Sequence, residues 1–409
     1  MNFIFVESSR RAWGSEQHFV SLAIACRQAG HRVVAVVRAG TDVARLLTTA
    51  GVDVRVTPFR GGGDPRALWI TLKVIVEIGA DWLVTDHQKH YWPLYVVAKL
   101  SGTRLAVFRH MVYVRSWLTR VLFPRLADRF FVVSDFALES LVADGAPRSH
   151  LTRLYNQIDL QRFKPSAFQR DRARQELALP TDAIIVGFVG RHEWEKGVCV
   201  LRAALDAAMT VEPRLHAIWV GGGPLWEETQ STLRLDLKDR HRFVEWTPTP
   251  ELYYPAFDCL VAPSRTVETF GRVVAEAQAC GVPVIATSLG GLREAFLAGT
   301  SGEYCRNGNE QSDIDALARQ IVRLSNDPMA RVTMGRAGRR FVRRFDSTRV
   351  VELFISHLLE ADGLEFRQPQ VAASSAASSA TSPGRGHAVG WEGIDFETTL
   401  SFRNSLAEA

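Results

Sequence analysis

Glu268 and Glu276, eight residues apart, flank Thr269, Phe270 and Gly271 and carry the densest chemistry in the chain. Glu268 reads as a loop residue. Glu276 reads as one to two turns into a helix that stops at Cys280 and Gly281, before a buried strand over Val282 to Thr287. Gly271 at the helix mouth leaves backbone N–H groups for an anion, and the helix dipole adds partial positive charge there. Carboxylates beside such a mouth repel phosphate and suit sugar or ribose hydroxyls. A nucleotide sugar needs both chemistries within a few ångströms. Taken singly, each Glu also reads as a solvated helix charge; the whole string, with Gly290, Gly291 and Glu294 following, does not.

A second cluster runs from Gly190 and Arg191 to Lys196 and Gly197, after a strand over Ile184 to Val189 and at the start of a helix. Two cations five residues apart can converge on a diphosphate and stabilise its growing charge as it leaves a sugar. Arg outnumbers Lys 43 to 6, yet a Lys stands here, and a compact ammonium is not equivalent to a planar guanidinium at a phosphate. The alternative is a solvated basic loop. Gly222, in the run Gly221 to Gly223 before Pro224, marks a tight turn after another strand. Gly14, Ser15 and Glu16 follow the first strand, either as a loop that admits a diphosphate or acceptor or as a helix start capped by Ser15. His87, Arg109 and His110 sit just past strand ends, where open parallel sheets bind ligands. Arg109 there suits an acceptor phosphate or carboxylate, and a lone His is as readily structural.

The elements that must position these residues alternate strand and helix. Strands read at Phe3 to Val6, Val33 to Val37, Val52 to Val56, Trp82 to Thr85, Leu105 to Phe108 and Phe130 to Val133. The pattern restarts at Ile184, with strands near His216 to Val220, Cys259 to Ala262 and Val284 to Ala286. Helices read at Gln17 to Ala29, Val43 to Ala50 and Ala67 to Ile78. Such alternation predicts an α/β protein of two Rossmann-like, doubly wound domains facing a cleft. The parse is an N-terminal domain over 1–160, a linker over 161–180, a second domain over 181–345, a helix over 346–362 and a disordered Ala/Ser-rich tail over 363–409. A chain of 409 residues, 46% hydrophobic, can fill two such cores.

Five cysteines form no Cys-x-x-Cys pair or Cys/His cluster, which fits reduced buried thiols. The N-terminus lacks a basic leader and reads as a strand, and no run of about 18 apolar residues exists. Residues 1–160 hold 20 Lys and Arg against 13 Asp and Glu, a net of +7 that leaves −2 for the rest. A basic first half points to an anionic acceptor or surface; no nucleic-acid motif accompanies it. Met111 to Arg125 mixes Trp117, Leu118 and Phe123 with Arg115, Arg120 and Arg125. It reads equally as a basic amphipathic helix on an anionic membrane or as a core helix with a basic outer face.

The Glu268-to-Glu276 string resembles the Glu-x7-Glu signature of the family-4 retaining glycosyltransferases, which have the two-domain GT-B fold. The resemblance extends in order and spacing over roughly residues 1 to 360. It implies that Glu268 lies by the donor sugar, that Glu276 binds the ribose hydroxyls, and that Phe270 and Gly271 belong to the donor site. Arg191 and Lys196 match the family's diphosphate-binding pair in its Gly-Arg…Glu-Lys-Gly motif. Gly190 and Gly222 fall in the donor loops, and Gly14, Ser15 and Glu16 resemble the Gly-Gly-x-Glu loop. His110 matches a His near the sugar and acceptor. Asn156 resembles the start of the hinge motif Asn-Gly-Ile-Asp. Thr269, Trp13, Trp246 and Gln157 each replace a usual Gly, and the change at Trp246 leaves uridine and guanosine both open.

The expectation is a metal-independent enzyme with no cofactor beyond its nucleotide-sugar co-substrate. It acts on an anionic glycan or glycolipid in lipopolysaccharide or surface-polysaccharide assembly, in the cytoplasm or at the inner membrane face. A nucleotide-sugar epimerase of the same fold and a non-catalytic nucleotide-sugar-binding assembly partner are the alternatives. The second would have lost Arg191, Lys196, Glu268 or Glu276, and all four are present.

Overall fold

The computed structural model describes residues 1–12, 14–111, 116–308 and 310–361, all within one compact unit. Trp13, Arg115 and the tail from Gly363, on which sequence expectations were placed, lie outside the described residues.

Two parallel sheets form the frame. The first comprises β1 (Asn2–Glu7), β2 (Arg32–Arg38), β3 (Asp53–Thr57), β4 (Trp82–Thr85), β5 (Arg104–Arg109), β6 (Arg129–Val132) and β7 (Thr152–Arg153), in the order β3-β2-β1-β4-β5-β6-β7. The second comprises β8 (Ile184–Arg191), β9 (Leu215–Gly222), β10 (His241–Val244), β11 (Cys259–Ala262), β12 (Val284–Thr287) and β13 (Gly302–Cys305), ordered β10-β9-β8-β11-β12-β13. Each is Rossmann-like and doubly wound. Its order reverses once, between β1 and β4 and between β8 and β11, and such switch points open crevices beyond the carboxyl strand ends.

The central strands are buried on both faces and so read as continuous apolar runs; β1 packs Phe3, Ile4, Phe5 and Val6 at 1% exposure or less. The helix Gly14–Gln28 starts three residues before the expected Gln17. Gly14 and Ser15 are therefore its first residues, and Ser15 is not its cap. A glycine is cheap in a first turn, where the N–H groups lack intrahelical acceptors anyway.

The chain crosses between the sheets twice, and the crossings bond to each other. The Ile158 N–H donates to Phe345 O at 2.7 Å and the Ser347 N–H to Ile158 O at 3.1 Å. Half of the stretch read as linker is a helix, Ala167–Glu176, fastened to the second sheet. Arg170 and Arg174 reach the two oxygens of Asp258 at 2.9 and 2.8 Å, and Asp258 also accepts the Ile185 N–H at 2.8 Å.

After the second crossing the helix Ser347–Glu360 returns to the first sheet. Fully buried Phe354 packs there against Phe3, Phe108 and Phe131, with ring centroids 5.4 to 6.0 Å apart. Phe354→Ala is expected to cost about 3–5 kcal/mol, the usual range for emptying a buried aromatic site, measured by chemical denaturation. A loss below about 1 kcal/mol would show that the helix adds little to the first core.

Candidate active site

The second sheet brings its charged loops together at the β8/β11 switch point. After β8 the chain makes a short 3-10 turn, Trp194–Lys196, and Lys196 Nζ meets Glu268 Oε1 at 2.5 Å. Ser264 Oγ donates to the same oxygen at 2.7 Å, and the Glu268 carbonyl accepts the Gly291 N–H at 2.7 Å. Arg191 Nη2 pairs with Glu193 Oε2 at 2.6 Å and stays half exposed. The loops approach so closely that a Cβ on Gly197, at φ +72°, would lie 2.0 Å from the Pro263 carbonyl oxygen.

Gly271, at φ +94°, starts the helix Arg272–Ala279, and no side chain caps that end. A Cβ at Gly271 would strike Leu292 at 2.5 Å, so the uncapped mouth depends on glycine. Glu276 is 6% exposed, which excludes the solvated-charge reading. Tyr254 Oη donates to its Oε2 at 2.8 Å, and Arg272 Nη2 to its Oε1 at 3.1 Å. Each bond leaves lone pairs for a further donor. The Phe270 side chain is buried against Tyr155 and Phe345, so only its backbone can serve a donor ligand. Gly190 is the last but one residue of β8 and Gly222 the last of β9; the side-chain direction at Gly222 is open space, whereas a Cβ at its neighbour Gly221 would meet Gly190 O at 1.9 Å. Trp246 is half-buried just past β10.

The first sheet presents a different surface. His110 follows β5, and its Nε2 lies 3.8 Å from Asp86 Oδ2, the two side chains 9% and 2% exposed. Its ring also meets that of buried His18 at 4.8 Å. Burial, with Arg272 and Arg109 nearby, pushes His110 down to about 3, so it is neutral at ordinary pH. Glu7 Oε1 accepts the Ser8 and Ser9 N–H groups at 2.6 and 2.7 Å. Burial opposes its charge, but Asp86, His90, His87 and Ser9 outweigh that and hold it at about 2. Asp86 is driven well above the usual carboxylate range by burial and by Glu7's charge. Burial likewise raises Glu16.

Arg109, expected at an acceptor anion, is buried, with Nε donating to Met111 O at 2.6 Å and Nη1 to Gln88 Oε1 at 2.7 Å. It ties the β5 exit to the turn after β4, and an acceptor phosphate would compete with those bonds. His87 accepts the Lys89 N–H and starts the following 3-10 turn. Asn156 is 4% exposed in the first crossing, and its Oδ1 has no hydrogen-bond partner. Gly14 and Ser15 lie at the N-terminal end of their helix, and a Cβ at Gly14 would meet open space.

The two halves meet at this place. Arg272 Nη1 reaches Gln157 O at 3.5 Å, and Gln157 Nε2 donates to His18 O at 2.9 Å. Glu294, beside the second sheet, accepts the Asp135 and Phe136 N–H groups at 2.8 and 2.7 Å, capping a helix of the first half. Sequence reasoning assigned no role to Arg272, Tyr254, Glu7, Asp86 or His18. The first stands four residues before Glu276, the helical spacing for a paired side chain. The rest are joined only by long-range folding. Among the described residues, no group of three or more His, Cys, Asp or Glu is placed to hold a metal ion.

Residues 169–341 match the family model Glycosyl transferases group 1, and residues 13–162 match Glycosyltransferase Family 4. The chain belongs to the family-4 glycosyltransferases. Its GT-B fold is shared with HepE of Anabaena, solved with UDP and glucose, at TM-score 0.75 and 22% identity, covering 88% of this chain and 99% of that one. The sucrose-phosphate synthase of Thermosynechococcus elongatus aligns at TM-score 0.68 and 22% identity over 89% and 100% of the two chains. In sequence, the family-4 chain is 38% identical over 225 residues to D-inositol 3-phosphate glycosyltransferase 1 of Catenulispora acidiphila, covering 52% of each. It is 33% identical to the D-inositol 3-phosphate glycosyltransferase of Saccharomonospora viridis, covering 58% of this chain and 56% of that one. The family-4 chain thus spans about half the length of the curated relatives it matches.

Gly197→Ala tests the loop packing without touching a charged group. It is expected to lower stability by at least about 1 kcal/mol, from the left-handed backbone alone, read as a lower denaturation midpoint at unchanged slope. An unshifted midpoint would mean that the two loops part freely.

Proposed function

We propose that this chain is a retaining glycosyltransferase that moves a sugar from a nucleoside diphosphate to a hydroxyl of an anionic acceptor, without a metal ion. The observation that carries the reading is the convergence, at one switch point, of Lys196, Glu268, the uncapped mouth at Gly271 and buried Glu276. Glu276 takes the ribose hydroxyls and Glu268 lies by the donor sugar. Arg191 and Lys196 neutralise the charge that grows on the diphosphate, the part a metal plays at other phosphate sites. The bond from the anomeric carbon to the diphosphate breaks and the bond to the acceptor oxygen forms on the same face. The acceptor's hydroxyl proton passes to the departing phosphate oxygen. No covalent sugar–carboxylate intermediate is invoked. Both cations and both Glu residues favour transfer over a non-catalytic binding role.

An anionic acceptor fits the first half. Arg10, Arg11 and Arg38 line a cavity of about 480 Å³ at the carboxyl ends of β1 and β2, and guanidinium groups suit phosphate. The curated relatives are named for an inositol phosphate rather than a glycolipid, so a phosphorylated cyclitol or sugar is the first acceptor to test. UDP-glucose, present in a HepE structure, is the first donor.

Lys196→Ala and Arg191→Ala are each expected to lower turnover at least about a hundredfold, the usual loss for one charge stabiliser, with unchanged melting temperatures. Near-normal turnover in both would overturn the diphosphate assignment.

A second reading keeps the surface-polysaccharide acceptor and a peripheral membrane contact, because Met111, Trp117 and Leu118 are exposed near Arg120 and Arg125. No helix among the described residues is long and apolar enough to cross a membrane. On this reading the protein binds anionic vesicles, and the binding fades as salt rises past the physiological range. Indifference to anionic vesicles at low salt would leave the cyclitol or sugar phosphate alone.

A further inference from the structure

Glu276 is a carboxylate that folding alone does not require. Its side chain is 8% exposed, and each of its oxygens has one protein donor, Tyr254 Oη on Oε2 at 2.8 Å and Arg272 Nη2 on Oε1 at 3.1 Å. Burying a carboxylate for two such bonds is a poor source of stability, because apolar side chains of similar volume would pack there at less cost. A phenylalanine would fill the Tyr254 site and need no partner at all. The trio is therefore better explained by what the carboxylate still has to offer.

Tyr254 is a fixed donor. It begins a 3-10 turn, Tyr254–Ala256, between β10 and β11, and is fully buried. Its ring meets those of Phe163 and Phe257 edge to face, with centroids 5.8 and 5.7 Å away. Phe257 in turn lies so close to β8 that a Cβ on Gly187 would come within 2.2 Å of it. Packing this tight keeps the ring from swinging away. Burial and the Glu276 charge push the Tyr254 hydroxyl well above its ordinary value, so the proton in this bond stays on the tyrosine. Arg272 holds the other oxygen from one helical turn away, and its Nη1 reaches Gln157 O at 3.5 Å. The carboxylate cannot rotate without breaking one of its two bonds, and each oxygen keeps a lone pair for a further donor. The vicinal hydroxyls of a ribose match an acceptor held in this way, one hydroxyl to each oxygen. We propose that Tyr254 and Arg272 are positioning residues that lock the Glu276 carboxylate as a two-pronged acceptor, and that they thereby set a preference for nucleotides carrying both the 2′- and the 3′-hydroxyl. The ribose contact rests on the glycosyltransferase reading of Glu276; the bracing of the carboxylate does not.

The ratio of two affinities reads this directly. UDP, GDP and their 2′-deoxy counterparts are titrated calorimetrically into the whole chain and into Tyr254→Phe, which removes one hydroxyl and keeps the ring. The parent should bind the ribonucleotide about 10–100-fold more tightly than its 2′-deoxy form, the size of one hydrogen bond to a charged group. In Tyr254→Phe that preference should shrink to less than about threefold, a loss in the range usual for a supporting partner. A substitution that only loosened the core would weaken both nucleotides alike and leave the ratio where it was. A parental ratio in Tyr254→Phe would therefore overturn the proposal. Equal binding of the two forms by the parent would overturn it as well, together with the ribose role of Glu276. Should Tyr254→Phe fail to fold, Arg272→Met carries the same comparison, because the lost charge weakens both nucleotides equally and only the bracing of Glu276 changes the ratio. If neither UDP nor GDP binds the parent, the nucleotide reading falls and the proposal with it, a result distinct from a parental ratio in Tyr254→Phe.

Discussion

The ion pair between Lys196 and Glu268 is the interaction on which the second half of the site depends. It joins the loops that follow β8 and β11, the two strands between which the sheet reverses its order. The pair forms only because the backbone of Gly197 can lie against the Pro263 carbonyl, where any side chain would collide. Once those loops are held, the chain from Glu268 leads in a few residues to the uncapped helix and to Glu276. A diphosphate at that mouth would meet an ammonium already partly stripped of water, and fixed charge at the reacting bond costs no reorganisation there.

The first half uses buried polar groups differently. Its charge is concentrated on Glu7, while Asp86 and the surrounding histidines stay neutral. Neutral groups under His110 would suit a surface that orients hydroxyls, whereas the arginines at the β1 and β2 ends would suit an anion. Arg272 stands between the two chemistries, paired to Glu276 on one side and close to His110 and Gln157 on the other. The two halves are therefore linked through Arg272 as well as by the two bonded crossings at Ile158 and Phe345.

Much of the frame was legible in the sequence. Trp82 to Thr85 and Cys259 to Ala262 were bounded to the residue, because strands buried on both faces must be apolar throughout. The strands missed, β7, β10 and β13, all lie at sheet edges. Each has one neighbour, and β10 and β13 keep polar residues such as Arg242 and Glu303, so no apolar run marks them. Arg191, Lys196, Glu268 and Glu276 were legible because each pair sits on one short segment. Asp86, His18 and Tyr254 were not, since their partners lie 22 to 92 positions away and only the fold brings them together. Arg109 and Phe270 show the converse: position beside a motif did not place their side chains toward a ligand, because burial and packing claimed them first.

On the proposed function, protein charges alone, at the β8/β11 switch point, receive a nucleoside diphosphate. Calorimetric titration of UDP and GDP into the whole chain, in the presence of a chelator and over a series of salt concentrations, tests it most directly. One of them should bind without divalent metal, with an affinity that falls as salt rises. Binding of neither, or binding only after a divalent cation is added, would contradict it.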